Sequence, residues 1–430
     1  MAGAADIGGL VDRLFRRESG RIVAALARSL GAGRLDLAED LAQQALLQAL
    51  RVWPYRGVPD DPAAWLYTAA RRLAIDAARR DATLRRQADA IGRDLLARAP
   101  APPGAHFADE LADDELRLLF MCAHPALSEE MRLALILRVG CGLSTREIAA
   151  GVLREEATVA QWLVRARRRV QERGLSLDMP ASNELPSRLA PVLDALYLAF
   201  NEGHGAASGD SLVRADICGE AVRLARLLAD HPVTGRPEAQ ALAALLLFHL
   251  ARLPTRTDAA GEIVLLADQD RTRWDRAAIA EGFRRMRRAA TGEHLSEFHL
   301  LAGIAAEHAR AATFEETDWP AILGYYDSLV ALAPSPVHRL NRAVAVAMTD
   351  SAASGLAEVE ALAGEPALEE YFLLPATRGE LLRRLGRDAE ATRAFAEAAR
   401  LTRSAPARRF LLRRAATRPV TSPGAAAARS

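Results

Sequence analysis

The chain has 430 residues, enough for two to four domains of ordinary size. Half of its residues are apolar and only 5% are aromatic, and the abundance of alanine and leucine favours helices over sheets throughout. The formal net charge is +1, which excludes a uniformly basic surface. Any binding of nucleic acid therefore has to come from local patches of arginine, since the sequence contains no lysine.

Three widely spaced cysteines, Cys122, Cys141 and Cys218, lack the spacing of metal ligands and predict small, buried, reduced thiols. The N-terminal segment lacks the apolar core of a signal peptide. The most apolar run, 239–253, is too short and too often interrupted by polar residues to span a bilayer. We therefore expect a soluble protein of the cytoplasm.

Residues 7–80 are predicted to form a first helical block. Its first helix carries an apolar stripe made of Leu10, Leu14, Ile22, Leu26 and Leu30. A second helix, capped by Asp36, is expected to end before Pro54. After a loop rich in proline and glycine, a third helix begins at Pro62 and ends in a basic cluster.

Residues 83–111 resemble a linker, because a proline-rich run is followed by an acidic one. Beyond it, residues 142–170 predict two short helices joined by a tight turn. Ser144 and Glu147 have the spacing of a capping box for the first of them. The second begins near Glu156 and is expected to bury Val159, Leu163, Ala166 and Val170.

The outward face of that second helix would carry Thr158, Gln161, Arg165 and Arg168. This layout is that of a helix-turn-helix, whose second helix enters the major groove of DNA. Its N-terminal part can contact base edges, and its arginines can hold phosphates. The alternative interpretation is an amphipathic helix pair with a solvated basic face.

The segment 379–401 matches the pattern of a tetratricopeptide repeat, with Gly379 and Leu382 in its first helix and Gly386 at the turn. The segment 318–334 resembles the second helix of an earlier repeat, with Ile322, Tyr326 and Leu329 in matching places, and Leu356 and Ala361 fit a weaker copy between the two. Because such helix pairs cannot bury their apolar faces alone, they stack into a solenoid. A helical domain without repeats is the alternative.

Three motifs in order resemble the extracytoplasmic-function branch of the sigma-70 family: LAEDLAQQAL at 37–46, AWLYTAARRLAIDAARR at 64–80 and LSTREIAAGVLREEATVAQWLVRARRRV at 143–170. Further along, YLAFNEGH at 197–204, LVRADICGEAVRLARLL at 212–228 and LLADQDRTRWD at 265–275 resemble the subgroup with a C-terminal tetratricopeptide-like extension.

This resemblance implies an all-α protein without a cofactor or catalytic residue. Residues 1–82 would form sigma region 2, 83–111 a flexible linker, 112–175 the region 4 helix-turn-helix, and 176–430 a helical, tetratricopeptide-like solenoid that regulates in cis. The partners would be core RNA polymerase and promoter DNA, with a peptide or another part of the chain in the solenoid and no membrane.

The resemblance also implies three sets of site residues. Those for docking on polymerase are Asp36, Glu39, Asp40, Gln43, Gln44 and Leu47. Those at the −10 element are Tyr55, Arg56, Arg71, Arg72, Asp76, Arg79 and Arg80. There, arginines would hold phosphates and aromatic rings would stack on bases. Those at the −35 element are Thr158, Gln161, Arg165 and Arg168.

Several alternatives stay open. The acidic rim on the second helix could be an ordinary solvated face, and Trp65 is expected in the core. Relatives often have asparagine in place of Arg72, which leaves the base preference open. Glu155 and Glu156 could accept a hydrogen bond from a cytosine amine, or they could cap the helix through a favourable interaction with its dipole.

Two clusters in the C-terminal half invite other interpretations. Asp268, Asp270 and Asp275 could suggest a metal site, but a polar turn with internal Asp–Arg pairs is preferred, and His204 is expected in a structural loop. Two other functions remain for the whole chain. One is a helix-turn-helix activator with a sensor domain that does not replace a sigma factor, and the other is a solenoid enzyme.

Overall fold

The computed structural model describes the backbone of residues 4–80, 105–205, 208–209 and 212–416. These residues form two compact units. The N-terminal unit comprises residues 1–203 and 215–239, and the C-terminal unit comprises residues 204–214 and 240–430. The N-terminal unit thus extends beyond the boundary predicted at residue 176.

Helices make up most of the N-terminal unit. They are α1 (Ala4–Leu30), α2 (Leu35–Arg56), α3 (Pro62–Arg80), α4 (Ala105–Cys122), α5 (Glu129–Leu135), α6 (Thr145–Gly151), α7 (Glu156–Arg173), α8 (Leu185–His204) and α9 (Ala215–Asp230). A π-helical turn, Ile136–Gly140, follows α5 directly. Helix α4 begins at Ala105, inside the predicted linker 83–111, so the end predicted for the linker was too late in the chain. Residues 83–104 of the linker lie outside the described residues.

The predicted start and end of the second helix were both wrong. Helix α2 begins at Leu35 after a 3₁₀ turn, so Asp36 lies in its first turn rather than at the cap. The helix also continues through Pro54 to Arg56. Because Pro54 lies in the last turn, it removes one hydrogen bond only, and the Gly57 N–H donates to the Trp53 carbonyl at 2.9 Å to close the helix.

The core of the N-terminal unit joins both predicted helical blocks. Apart from Phe200 on α8, the largest buried side chains belong to helices α1 to α5: Leu26, Leu35, Trp53, Leu66, Leu116, Leu118, Leu119, Phe120, Met121 and Leu135. The three cysteines are buried as predicted, and burial raises the pKa of Cys122 and Cys141. Ile22, Leu26 and Leu30 of the predicted stripe are buried, whereas Leu10 and Leu14 are half-buried.

The C-terminal unit is also helical. It holds most of α10 (Pro237–Ala251), then α11 (Arg276–Ala289), α12 (Glu297–Arg310), α13 (Trp319–Leu332), α14 (Pro336–Thr349), α15 (Ala352–Glu360), α16 (Leu373–Arg384), α17 (Asp388–Leu401) and α18 (Ala405–Ala416). From α12 onward each helix packs against the next. A two-residue parallel pair, β1 (Ser208–Gly209) with β2 (Arg403–Ser404), is the sheet among the described residues.

Helices α16 and α17 pack closely through two glycines of the segment 379–401. Gly386 turns the chain between them with a φ of +72°, which a glycine adopts without strain. A β-carbon at Gly379 would lie 3.0 Å from the Phe395 ring, so this glycine lets the two helices approach. The prediction for Ala361 was wrong: it is exposed just beyond α15, and Leu362 is buried instead.

The acidic cluster of the C-terminal half caps helices. Asp270 Oδ1 accepts from the Thr272 N–H at 3.0 Å, and Asp275 Oδ1 accepts from the N–H groups of Ala277 and Ala278 at the start of α11. The polar turn was predicted to contain Asp–Arg pairs, and this was wrong for Asp270 and Asp275. Their carboxylates instead accept hydrogen bonds from main-chain N–H groups at helix starts. Among the described residues, no group of three or more metal-binding side chains is present.

The contact between α14 and α15 yields a stability prediction. A β-carbon at Gly355 would lie 2.5 Å from the Ala347 β-carbon and 2.7 Å from the Ala343 carbonyl oxygen. We expect Gly355→Ala to lower stability by about 1–3 kcal/mol through overpacking. The matched control is Gly324→Ala on α13, which has nothing within 4 Å and should gain about 1 kcal/mol from helix propensity. Thermal unfolding followed by circular dichroism measures both, and equal shifts would contradict the assignment.

Candidate DNA- and polymerase-binding surfaces

The helix-turn-helix is present as the sequence predicts. Ser144 caps α6 through a complete capping box: its hydroxyl accepts from the Glu147 N–H at 3.2 Å, and the Glu147 carboxylate accepts from the Ser144 N–H at 2.7 Å. Glu147 also binds Arg16 of α1 at 3.2 Å. The cap therefore fixes both the start of α6 and its position against the first helix.

Helix α7 has the two faces expected of a recognition helix. Val159, Leu163, Ala166 and Val170 are buried, whereas Gln161, Arg165 and Arg168 are exposed and Thr158 is half-buried. Arg168 forms an ion pair with Glu172 at 2.6 Å, which lowers the pKa of Glu172. The other exposed arginines of this region, Arg154, Arg169 and Arg173, widen the basic surface.

The two acidic residues Glu155 and Glu156 lie at the N-terminal end of α7. Glu155 is the N-cap residue but makes no side-chain capping hydrogen bond, and Glu156 lies in the first helical turn. Carboxylates there are favoured by the helix dipole, which agrees with the second of the two interpretations given for Glu155 and Glu156. Leu153 has a φ of +53° and is exposed, so the turn is built without a glycine.

One exposed stripe runs along α2. Asp36, Asp40 and Gln44 are exposed polar residues, and Leu47 and Leu50 continue the stripe with exposed fractions of 52% and 39%. A polar rim beside exposed apolar side chains is the composition of a protein-docking surface. Gln43 is half-buried at its edge. Sequence reasoning missed Leu50, although its spacing of three from Leu47 was a signal.

Glu39 does not belong to this stripe. Only 8% of it is exposed. Its carboxylate accepts from Arg167 Nε at 2.9 Å and Nη2 at 2.6 Å, and Arg138 Nε lies 3.4 Å away. The predicted docking residue is thus bound to two arginines of the helix-turn-helix block. No signal in the sequence pairs these positions, since Arg138 lies 99 residues and Arg167 128 residues beyond Glu39.

The predicted −10 residues form two groups. Tyr55, 90% exposed, and Arg56 lie in the last turn of α2, while Arg72, Asp76, Arg79 and Arg80 are exposed on α3. Arg71 is half-buried. Asp61 caps α3 by accepting from the Ala64 N–H at 2.9 Å.

The two sides of this surface are held together by aromatic packing. The rings of Trp53 in α2 and Trp65 in α3 meet edge to face with centroids 5.5 Å apart. Trp65 is therefore a packing residue, as expected, and it fixes the α2–α3 corner that presents Tyr55.

Two family profiles match these same blocks. The profile of Sigma-70 region 2 matches residues 14–83, and that of Sigma-70, region 4 matches residues 117–170. The chain therefore contains Sigma-70 region 2 and region 4 domains, which supports a factor of the sigma-70 family. Its helix-turn-helix and region 2 support a role as an RNA polymerase sigma factor in promoter recognition, with core RNA polymerase and promoter DNA as partners.

Two other comparisons include the C-terminal half of the chain. A family of unknown function, DUF6596, matches residues 188–290. An uncharacterized protein of Rhizobium meliloti (strain 1021) is 41% identical over 397 residues, covering 89% of this chain and 92% of that protein, so the two belong to one family. No solved structure gave a significant match. Among the residues described, no helix is both long and apolar enough to cross a bilayer.

The capping box of α6 gives a second prediction. Ser144→Ala should cost about 1 kcal/mol of stability, because the Glu147 N–H loses its acceptor at the helix start. Ser144→Thr keeps a hydroxyl in place and should stay within a few tenths of that in the unchanged protein. Thermal unfolding of the three proteins side by side measures the difference. An alanine variant as stable as the threonine variant would show that the cap contributes nothing.

Proposed function

We propose that the chain is a sigma factor of the extracytoplasmic-function branch. It binds core RNA polymerase through α2, directs it to specific promoters, assists melting of the duplex and is regulated in cis by residues 176–430. The observation that carries the proposal is the exposed stripe on α2 in the same chain as the exposed recognition face of α7. An activator that works without replacing sigma needs the second surface but not the first.

Promoter melting is proposed for the α2–α3 corner. A base leaves its stack when a protein offers another stacking face and hydrogen bonds, and cations hold the displaced strand. Tyr55 offers an exposed ring, and Arg56, Arg72, Arg79 and Arg80 offer exposed guanidinium groups on the same two helices. Asp76 lies 3.9 Å from Arg79 and would orient that arginine rather than contact a phosphate.

The −35 element is proposed for the exposed face of α7. Gln161 and Arg165 lie four residues apart, one above the other on the helix, where an amide and a guanidinium can each contact a base edge in two places. Arg168, one turn further along, is placed to contact phosphate. The buried residues on the opposite side of α7 hold this face outward.

Cis regulation is supported by the way region 2 and region 4 are held together. Glu39 on α2 binds Arg167 on α7, and Arg28 on α1 binds Asp114 on α4 at 2.9 Å. The backbones also approach closely, since a β-carbon at Gly20 on α1 would lie 3.0 Å from the Val139 carbonyl oxygen. The two DNA-binding modules are thus packed into one body.

Helix α9, beyond the helix-turn-helix, takes part in the same contact. Its Arg223 donates to the Glu115 carboxylate of α4 at 2.9 and 2.5 Å, and its Asp216 pairs with Arg16 of α1. Arg188 of α8 donates to the Phe120 carbonyl at 2.9 Å. Helix α9 therefore ties α1 to α4, and α8 adds a contact to α4, which is how the proposed regulatory region would hold the modules closed.

The distance between the promoter elements requires this body to open. The −10 and −35 elements are centred about 25 base pairs apart, which is on the order of 80 Å of B-DNA. A compact body of about 230 residues has a radius of gyration of about 17 Å. Both modules cannot reach their elements while packed together, so the closed form is the silent one and opening accompanies binding to polymerase.

The remaining C-terminal helices are proposed to form a tetratricopeptide-like solenoid. The second helices of three successive pairs, α13, α15 and α17, begin at Trp319, Ala352 and Asp388, roughly one repeat of 34 residues apart. A solenoid offers a groove for a peptide or for another part of the same chain, which would serve the cis regulation proposed for this region.

Transcription with purified components tests the proposal. The full chain is mixed with core RNA polymerase lacking any sigma factor and supplied with promoter fragments from genomic DNA. We expect specific initiation, which Arg165→Ala should reduce by the roughly 1–3 kcal/mol of one base contact. Arg284→Ala, an exposed arginine on α11, is the matched control and should leave initiation unchanged. Binding to duplex DNA without initiation would instead indicate an activator.

A variant that replaces one arginine by an uncharged residue tests the closed form. Arg167→Gln removes the main partner of Glu39, and the loss of about 1–3 kcal/mol should shift the closed-to-open equilibrium by roughly 5- to 150-fold. We expect higher initiation and a larger radius of gyration by small-angle X-ray scattering. Arg169→Gln on the same helix, exposed and two residues away, should give neither. An Arg167 variant that is neither expanded nor more active would reject the closed form.

A further inference from the structure

Two buried carboxylates share one arginine where α9 packs against α1 and α4. Glu115 of α4 is 1% exposed, and Glu220 of α9 is 5% exposed. Arg223 Nη1 and Nη2 donate to the Glu115 carboxylate at 2.9 and 2.5 Å, and its Nε and Nη2 donate to the Glu220 carboxylate at 3.0 and 2.6 Å. Because Nη2 contacts both acids, a single guanidinium serves two carboxylates.

Helix α1 covers the other side of this contact. A β-carbon at Gly20 would lie 3.4 Å from Glu115 Oε1, so the backbone of α1 lies close over that carboxylate. Arg21 Nε lies 3.8 Å from Glu115 Oε2, but Arg21 Nη1 also donates to Glu18 Oε2 at 3.4 Å. The charge of Arg21 is therefore divided between two acids of different helices, and it compensates the buried pair only in part.

Other groups near the contact are neutral or already paired. Cys141, directly after the π-helical turn, lies within electrostatic range of these charges, and burial raises the pKa of its thiol and keeps it neutral. One turn before Glu220 on α9, Asp216 pairs with Arg16 of α1, and Arg16 also binds Glu147 of α6 at 3.2 Å. The charge balance at Glu220 is therefore set mainly by the arginines and the second acid named above.

The protonation of Glu220 differs between the packed and the separated arrangement. Two carboxylates held at one site do not both ionise readily, because each negative charge disfavours the other. Burial, opposed by Arg223 and reinforced by Glu115, raises the pKa of Glu220 to about 7. When α9 leaves α4, Glu220 meets water and its pKa returns to the ordinary value of 4.5. The packed arrangement therefore binds the proton more tightly, and its stability falls as pH rises from about 4.5 to about 7.

We propose that a rise in pH opens the N-terminal unit, because proton loss from Glu220 leaves two negative charges on Arg223 and frees α9 from α4. The proton passes to water, and no covalent bond changes. The proposal rests on the closed form inferred above. It makes the chain silent at lower pH and ready for polymerase at higher pH, with the proton concentration itself as the signal.

Hydrogen exchange of the full chain between pH 6 and 8 tests the proposal. The readout is the protection of main-chain amides in α1, α4 and α9, corrected for the intrinsic effect of pH on exchange. We expect protection to fall about tenfold over this range, since one proton is bound in the closed form and released in the open one. Peptides from α13, in the C-terminal unit, should keep their protection and serve as the internal reference.

Two glutamine variants separate the titration of Glu220 from other effects of pH. Glu220→Gln keeps a hydrogen-bonding side chain but cannot ionise, so its protection should stay constant at every pH. The matched control is Glu129→Gln, an exposed glutamate in the first turn of α5, which should respond to pH like the unchanged protein. A Glu220 variant that loses protection as the unchanged protein does would overturn the proposal.

Glu115→Gln tests the sharing of the arginine. This variant keeps the site buried but removes the competing charge, so Glu220 has Arg223 to itself. We expect the pH at which protection is lost to move lower. An unchanged midpoint would show that the shared guanidinium does not set the response, and it would also overturn the proposal.

These measurements use neither DNA nor polymerase, and Arg167→Gln distinguishes the two kinds of failure. If Arg167→Gln loosens the same helices and a rise in pH does not, the closed form stands and its control by pH is rejected. If neither change loosens them, the closed form itself is rejected, and the pH control falls with it.

Discussion

The packed arrangement of the N-terminal unit depends on one buried carboxylate. Glu115 of α4 is 1% exposed, and an ion so placed is tolerated only when other charges meet it. Arg223 of α9 supplies two hydrogen bonds, and Arg21 of α1 lies 3.8 Å away. Region 2, the helix-turn-helix block and the start of the C-terminal half therefore converge on a single charge.

A second buried carboxylate, Glu220, competes with Glu115 for the same arginine. Glu220, on the same helix as Arg223, shares that guanidinium at 2.6 Å, yet burial outweighs the arginine and raises the pKa of Glu220. Glu220 therefore keeps its proton in the folded unit at pH values where the unfolded chain has released it. As a result, the free energy of unfolding falls as pH rises through that interval. Two buried carboxylates thus share the guanidinium of Arg223, and this incomplete charge balance would favour the opening that we propose.

Local features of the fold could be predicted from the sequence, and distant pairings could not. The capping box at Ser144 and the buried and exposed faces of α7 follow from spacing along one helix, and the structure has them as predicted. The same reasoning failed at Asp36 and Pro54, because a preceding 3₁₀ turn and a terminal glycine decided those helix ends. It also placed Glu39 on the docking rim, since helical spacing alone does not reveal a partner in another helix.

The sequence by itself determined the helical class, the helix-turn-helix and the resemblance to sigma regions 2 and 4, because each rests on periods and motifs read within a few tens of residues. Only the tertiary structure decided that Glu39 binds Arg167 and that α9 reaches Glu115. Those facts depend on which charged groups share a buried space. Burial changes the cost of a charge by several kcal/mol, and no linear pattern records which side chains meet there.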